Sequence, residues 1–496
     1  MGRRTRQDVE VTALSELAGT GIDGLDHVLR GGLPRDRIYL VEGDPGVGKT
    51  TLALQFLLAG VAAGERALYV TLSETELEIR QIADSHGWSL DGLAMFELSA
   101  LEQQRRLESQ NTIFHPSDVE LTETTRAIFE HVERIRPHRV VFDSLSELRL
   151  LAQSPLRYRR EVLGFKQHFI GKRSTVLLLD DRTSEPGDMQ LQSLAHGVLS
   201  MQQMSPEYGN DRRRLRVSKL RGASYLGGNH DYAIRRGGIE LFPRLVAADH
   251  HDDFPRESIS SDVASLDQML GGGLTRGSST LLVGPAGSGK SSIAALYATA
   301  AARRGQRCAI FAFDELRRTA IERADALHME MSAHVANGGV LVNQVDPGEM
   351  SPGELTTRMR RLVDEGVSLV VIDSLNGFLH AMPAEKHLYI QLHELLAFLG
   401  QRGVTTLLVL AQAGLVGNMV APADVSYIAD SVILFRYFEA QGRIHKAMSV
   451  VKKRTGAHED SIRELSFAGG VVSVGVPLAG FRGVLQGVPE PLDGPA

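Results

Sequence analysis

Short, nearly uninterrupted apolar runs alternate along the chain with amphipathic stretches. RIYLVEG (37–43), RALYVTL (66–72), RVVFDS (139–144) and STVLLLDD (174–181) form one series. STLLVG (279–284), CAIFAFDE (308–315), SLVVIDS (368–374) and TTLLVLAQ (405–412) form a second. Runs that lack polar alternation suit strands buried on both faces, as in a parallel sheet covered by helices. The segments between them, such as TLALQFLLAGVAAG (51–64), have helical spacing. The pattern predicts an α/β, doubly wound architecture.

The two series belong to one unit written twice. TGIDGLDHVLRGGLPRDRIYLVEG (20–43) matches SDVASLDQMLGGGLTRGSSTLLVG (261–284) at an offset of 241, pairing Leu25 with Leu266, Asp26 with Asp267 and Gly32 with Gly273. The same offset relates Lys49 to Lys290 and Glu74 to Glu315. This predicts tandem domains over 1–245 and 246–476, with a tail over 477–496. The join falls in the polar stretch LVAADHHDDFPRES (245–258). Asp249, His250, His251, Asp252 and Asp253 there read as a solvated linker, because consecutive side chains do not converge on one metal.

Composition narrows the classes. Of 496 residues, 43% are hydrophobic and 23% charged, which fits a folded globular chain. A single cysteine, Cys308, excludes an internal disulfide and any CxxC zinc site. No run approaches a membrane span, and the basic start leads into no apolar stretch, so a cytoplasmic protein without a signal peptide is expected. The net charge of -6 and 6% aromatics argue against nucleic acid as a partner. DRRRLR (211–216) is a basic stretch that a solvated loop or a subunit contact explains as well.

Two stretches carry chemistry. GDPGVGKT (43–50) and GPAGSGKS (284–291) both match G-x-x-x-x-G-K-[ST], and each lies between an apolar run and a helical segment. Gly43, Gly46, Val47 and Gly48, like Gly284, Gly287, Ser288 and Gly289, would wrap backbone N–H groups around the phosphates of ATP. Lys49 and Lys290 would reach the β- and γ-phosphates, and Thr50 and Ser291 would hold Mg²⁺, with Thr51 and Ser292 completing each site. Asp143 and Asp373 each end an apolar run, where a strand delivers an acid to the metal shell. They lie 94 and 83 positions beyond their lysines. The difference of 11 is placed around EQQRRLESQN (102–111). LSETE and FDELR offer Glu74 and Glu315 as bases, or as acids favouring a helix N-terminus. Asp314 accompanies Glu315, whereas Ser73 precedes Glu74.

Together these residues resemble the KaiC family of RecA-like ATPases, and the resemblance runs from TGIDGLD to the tail FRGVLQGVPE. It implies two tandem RecA-like P-loop domains, each a mostly parallel twisted sheet with helices on both faces. It also implies a homohexameric double ring with ATP between subunits. Lys219 and Arg221 in VSKLRGAS, and Lys452 and Arg454 in VVKKRTGAH, would then reach a neighbour's nucleotide. The family's two adjacent glutamates are replaced here by Ser73–Glu74 and Asp314–Glu315. In DVSYIADS (424–431), Ser426 matches the first of two phosphorylated hydroxyl positions and Tyr427 stands at the second. The implied function is an ATP-hydrolysing ring for signalling or timing that recruits protein partners. The resemblance also implies a serine autokinase activity in the second domain. A RecA-like nucleic-acid motor or recombinase and a scaffold held by ATP are the competing readings.

Overall fold

The computed structural model describes residues 16–98, 116–181, 190–206, 209–380, 388–412, 426–486 and 490–491. The stretch 102–111 lies outside them. The chain divides into two compact units at Arg244 and Leu245. Among the described residues no helix is long and apolar enough to cross a membrane.

Each unit is built on one nine-stranded sheet. The first uses β1 (Ile38–Glu42), β2 (Ala67–Thr71), β3 (Leu93–Glu97), β4 (Arg139–Asp143), β5 (Thr175–Asp180), β6 (Gly197–Met204), β7 (Arg212–Leu220), β8 (Asn229–Arg235) and β9 (Gly238–Phe242). The second uses β10 (Ser279–Pro285), β11 (Arg307–Ala312), β12 (Val340–Gln344), β13 (Val367–Asp373), β14 (Thr405–Gln412), β15 (Ser431–Ala440), β16 (Arg443–Lys453), β17 (Ile462–Ser466) and β18 (Ser473–Pro477). The spatial orders are β3-β2-β4-β5-β1-β6-β7-β8-β9 and β12-β11-β13-β14-β10-β15-β16-β17-β18, one topology used twice. The first six strands of each order are parallel and the last three antiparallel. These are two mostly parallel α/β sheets in tandem, as the alternation predicts.

All eight apolar runs are strands, and β1, β2, β4 and β5 are buried along almost their whole length. Helix α1 (Lys49–Ala62) follows β1 and is apolar on nearly every side, with Leu52, Leu54, Phe56 and Leu57 buried, as a helix inside a core must be. Its counterpart α3 (Lys290–Arg303) buries Ile293 through Ala301 in the same way.

Two surface readings change. DRRRLR is no loop: Arg212–Arg216 runs within β7, where Arg214 pairs with Asp231 at 3.1 Å and Arg213 donates to Gln203 at 3.1 Å. The polar stretch 245–258 is not simply solvated. Leu245 and Ala247 are buried, His250 packs edge-on against Phe398, and Asp252 pairs with Arg402 at 2.6 Å. Among the described residues no three potential ligands converge on a metal position.

Candidate nucleotide sites

Both glycine-rich loops lie at the carboxyl ends of their strands and open α1 and α3. Gly48 and Gly289 stand at the helix N-caps with φ of 96° and 104°. That backbone conformation demands glycine, and a Cβ at either would also come to about 2.5 Å from a side-chain carbon, of Ile234 and Phe467 respectively, which would have to shift. No side chain caps either helix, and the first-turn N–H groups are left for an anion. Each loop is braced from behind. Tyr232 donates to the Val47 carbonyl at 2.7 Å, and the buried Ser288 hydroxyl donates to the Pro285 carbonyl at 2.8 Å. Thr51 and Ser292, one position beyond Thr50 and Ser291, are buried.

In the first unit, Lys49 is buried and donates to the Gly43 carbonyl at 2.7 Å. It also pairs with Asp181 at 2.8 Å. Thr50 Oγ1 donates to Asp143 Oδ2 at 2.8 Å, and Tyr69 donates to the same oxygen. Burial pushes the Asp143 carboxyl up, against the hydrogen bonds of Tyr69 and Thr50. Burial would raise Asp181 too, but the Lys49 ammonium and the hydroxyls of Ser144 and Ser146 outweigh it and hold that carboxyl below its ordinary range. Glu74 is half-buried just before the N-cap of α2 (Glu76–His86), and its Oε2 has no hydrogen-bond partner. Burial, then the charge of Asp143, raises the Glu74 carboxyl above its usual range.

In the second unit, Lys290 donates to the Pro285 carbonyl at 2.6 Å. Among the described residues no carboxylate pairs with it, and burial brings its pKa down to about 8. Asp373 is pushed up by burial, opposed by the Ser291 hydroxyl. These groups line a cavity of about 670 Å³ together with Asp314, Glu315 and Arg323. Arg323, on α4 (Arg317–Asp325), grips Glu315, while Ser374 donates to Asp314.

The residues fit the group the loops imply. A buried ammonium that burial alone disfavours, beside uncapped helix N–H groups, is offset by phosphate oxygens. A hydroxyl against a buried carboxylate, Thr50 with Asp143 and Ser291 with Asp373, is a hard oxygen pair suited to Mg²⁺.

The four late cations lie elsewhere. Arg221 N donates to the His196 carbonyl, and His196 N donates to Ile38 at the amino end of β1. Arg454 N donates to Asp430, whose own N donates to Ser279 at the amino end of β10. From there to the phosphate loop is five residues of strand, roughly 17 Å. Each basic pair therefore sits at the sheet end opposite its own loop. Lys219 Nζ donates to the carbonyls of Gln192 and Ala195, and Lys452 Nζ to those of Ser426 and Ala429. Arg454 donates to the Tyr427 carbonyl at 2.8 Å. Ser426 is exposed and shares this edge, away from its own Lys290.

Sequence reasoning missed Asp181 and Arg323. Asp181 had a signal, since it ends an apolar run as Asp143 does. Arg323 had none beyond lying eight residues after Glu315.

The family model described as ATPase: KaiC matches residues 18–246 and again 259–477. The chain is similar to the circadian clock oscillator protein KaiC of Parathermosynechococcus lividus, 26% identical over 497 residues, covering 96% of this chain and 89% of that protein. It is similar to the circadian clock protein KaiC3 of a Synechocystis strain, 26% identical over 495 residues, covering 97% and 96%. The circadian clock oscillator protein KaiC of Synechococcus elongatus is 25% identical over 478 residues, covering 95% and 91%.

Proposed function

The chain belongs to the KaiC ATPase family, and from that premise we propose that it is a ring-forming Mg²⁺-dependent ATPase, cytoplasmic, acting in signalling or timing through protein partners. The observation that carries the reading is the placement of Lys219, Arg221, Lys452 and Arg454. Each pair lies at the sheet end away from the phosphate loop of its own unit, which supports its acting on a nucleotide held by another copy. A closed ring of identical chains satisfies that geometry at every site.

At each site the loop N–H groups and Lys49 or Lys290 hold the phosphates, and Thr50 with Asp143, or Ser291 with Asp373, hold the metal. Mg²⁺ bound there would supply neutralisation of charge on the phosphate oxygens. Glu74 takes the proton of the attacking water at its unpartnered Oε2. Glu315 is the equivalent base in the second unit. A neighbour's Arg221 or Arg454 offsets charge that develops on the transferring group.

Ser426 adds a second reaction. Its hydroxyl is exposed on the edge that carries Lys452 and Arg454, so the γ-phosphate it meets is a neighbour's. Transfer forms the Ser426 Oγ–P bond and breaks the β–γ bridge, with the hydroxyl proton passing to Asp314 or Glu315. Tyr427 beside it has a longer, bulkier side chain and is not an equivalent acceptor.

Phosphate release and phosphopeptide mapping test both activities. Wild type turns over Mg·ATP and gains phosphate at Ser426. A Lys49→Ala, Lys290→Ala chain does neither. Turnover with Ser426 unmodified after long incubation removes the kinase and leaves the ATPase.

A further inference from the structure

The second site contains an ion pair that the first cannot make. Arg323 holds Glu315 with two arms of its guanidinium, Nη2 to Oε2 at 2.8 Å and Nε to Oε1 at 3.2 Å. The third nitrogen donates to Ser292 Oγ at 3.3 Å, one residue past the hydroxyl that faces the metal position. Both side chains of the pair are about a quarter exposed, at 28% and 27%, and both line the cavity with Lys290 and Asp373. At the offset of 241 the first unit has Ile82 in place of Arg323. Glu74 accordingly keeps a buried oxygen with no partner.

We propose that Arg323 is a positioning residue that restrains hydrolysis at the second site by holding Glu315 away from the attacking water. The proposal rests on the reading of Glu315 as that site's base. A carboxylate that accepts two charge-assisted bonds directs both oxygens at the guanidinium. In hydrolysis the water oxygen bonds to the γ-phosphorus, the β–γ bridging bond breaks, ADP leaves, and the water proton passes to the base. Glu315 takes that proton only after it gives up an arm of Arg323. The barrier at the second site rises by that cost, while Glu74 bears none. The bond to Ser292 fixes the guanidinium to the start of α3, so it is held toward Glu315 from two sides.

The test uses the full chain carrying Glu74→Gln, so that turnover reports the second site. Arg323→Ile copies the residue of the first unit. It raises kcat about fivefold, the scale set by releasing a partly exposed ion pair, and leaves KM nearly unchanged. Arg323→Lys keeps the charge without the planar fork and falls between wild type and Arg323→Ile, which also covers the case of a poorly folded isoleucine variant. Adding Glu315→Gln to Arg323→Ile cancels the gain. An unchanged or reduced kcat in Arg323→Ile and Arg323→Lys, with Glu315→Gln still lowering turnover, overturns the restraint and makes Arg323 an electrostatic helper. Glu315→Gln without effect overturns instead the assignment of Glu315 as base.

Discussion

Glu74 and Asp181 share one site and are tuned in opposite directions. Burial and Asp143 raise Glu74, so it binds a proton more tightly in the folded chain than in the unfolded one. First-site turnover, measured with Lys290→Ala in place, should therefore fall on acidification at a higher pH than an ordinary glutamate, near about 4.3, would dictate. Folding stability from this group decreases as pH rises between those two values. Glu74→Gln should cost about 10²–10⁴ in first-site kcat while leaving the melting temperature no lower. Equal turnover in the two chains would remove Glu74 as the base. Asp181 is held low by Lys49, so its stability is present above the ordinary aspartate range and is lost as pH falls through the depressed value. Asp181→Asn should destabilise the nucleotide-free first unit by roughly 1–2 kcal/mol, given that Asp181 is partly exposed. It should also tighten ATP binding, because Lys49 no longer has to leave a carboxylate. Thermal melts with and without ATP check both halves. At this scale the loops, Asp143, Asp373, Glu74 and Glu315 were legible because local spacing specifies them. The Lys49–Asp181 and Arg323–Glu315 pairs were not, because the register of neighbouring strands and the facing of a helix create them.

Elements carry these residues to their places. Helix α2 begins with a reciprocal cap, in which Thr75 accepts from Glu78 N and Glu78 accepts from Thr75 N. Glu74 immediately precedes it, and the Thr71 hydroxyl accepts from Glu74 N at 3.1 Å. Thr75→Ala should cost about 1 kcal/mol of first-unit stability and lower first-site kcat more than it changes KM, because the base loses its fixed approach. A stable variant with unchanged kcat would show that the cap does not position Glu74. The central strands β1, β2, β4 and β5 could be read from sequence because they are covered on both faces and are simply apolar. The antiparallel edge could not. In β7 the residues RRRLRVSKL look like a basic loop until Asp231 and Gln203 on adjacent strands supply partners for Arg214 and Arg213. β3 buries only Phe96 well, too little to stand out as an apolar run.

At the scale of the whole molecule, the repeated topology puts a phosphate loop at one end of each sheet and a lysine–arginine pair at the other. On the proposed reading, each pair would complete a nucleotide site held by another copy. Nucleotide held between copies stabilises their assembly by mass action, so Arg221→Ala and Arg454→Ala should weaken the ring and lower kcat while the isolated chain remains folded. Native mass spectrometry with and without Mg·ATP, run beside a turnover assay on the same samples, tests this most directly. The account predicts a sixfold assembly with Mg·ATP, its loss when nucleotide is removed, and turnover that follows the assembled fraction. A single chain that hydrolyses ATP at the full rate, with or without Arg221 and Arg454, would contradict it.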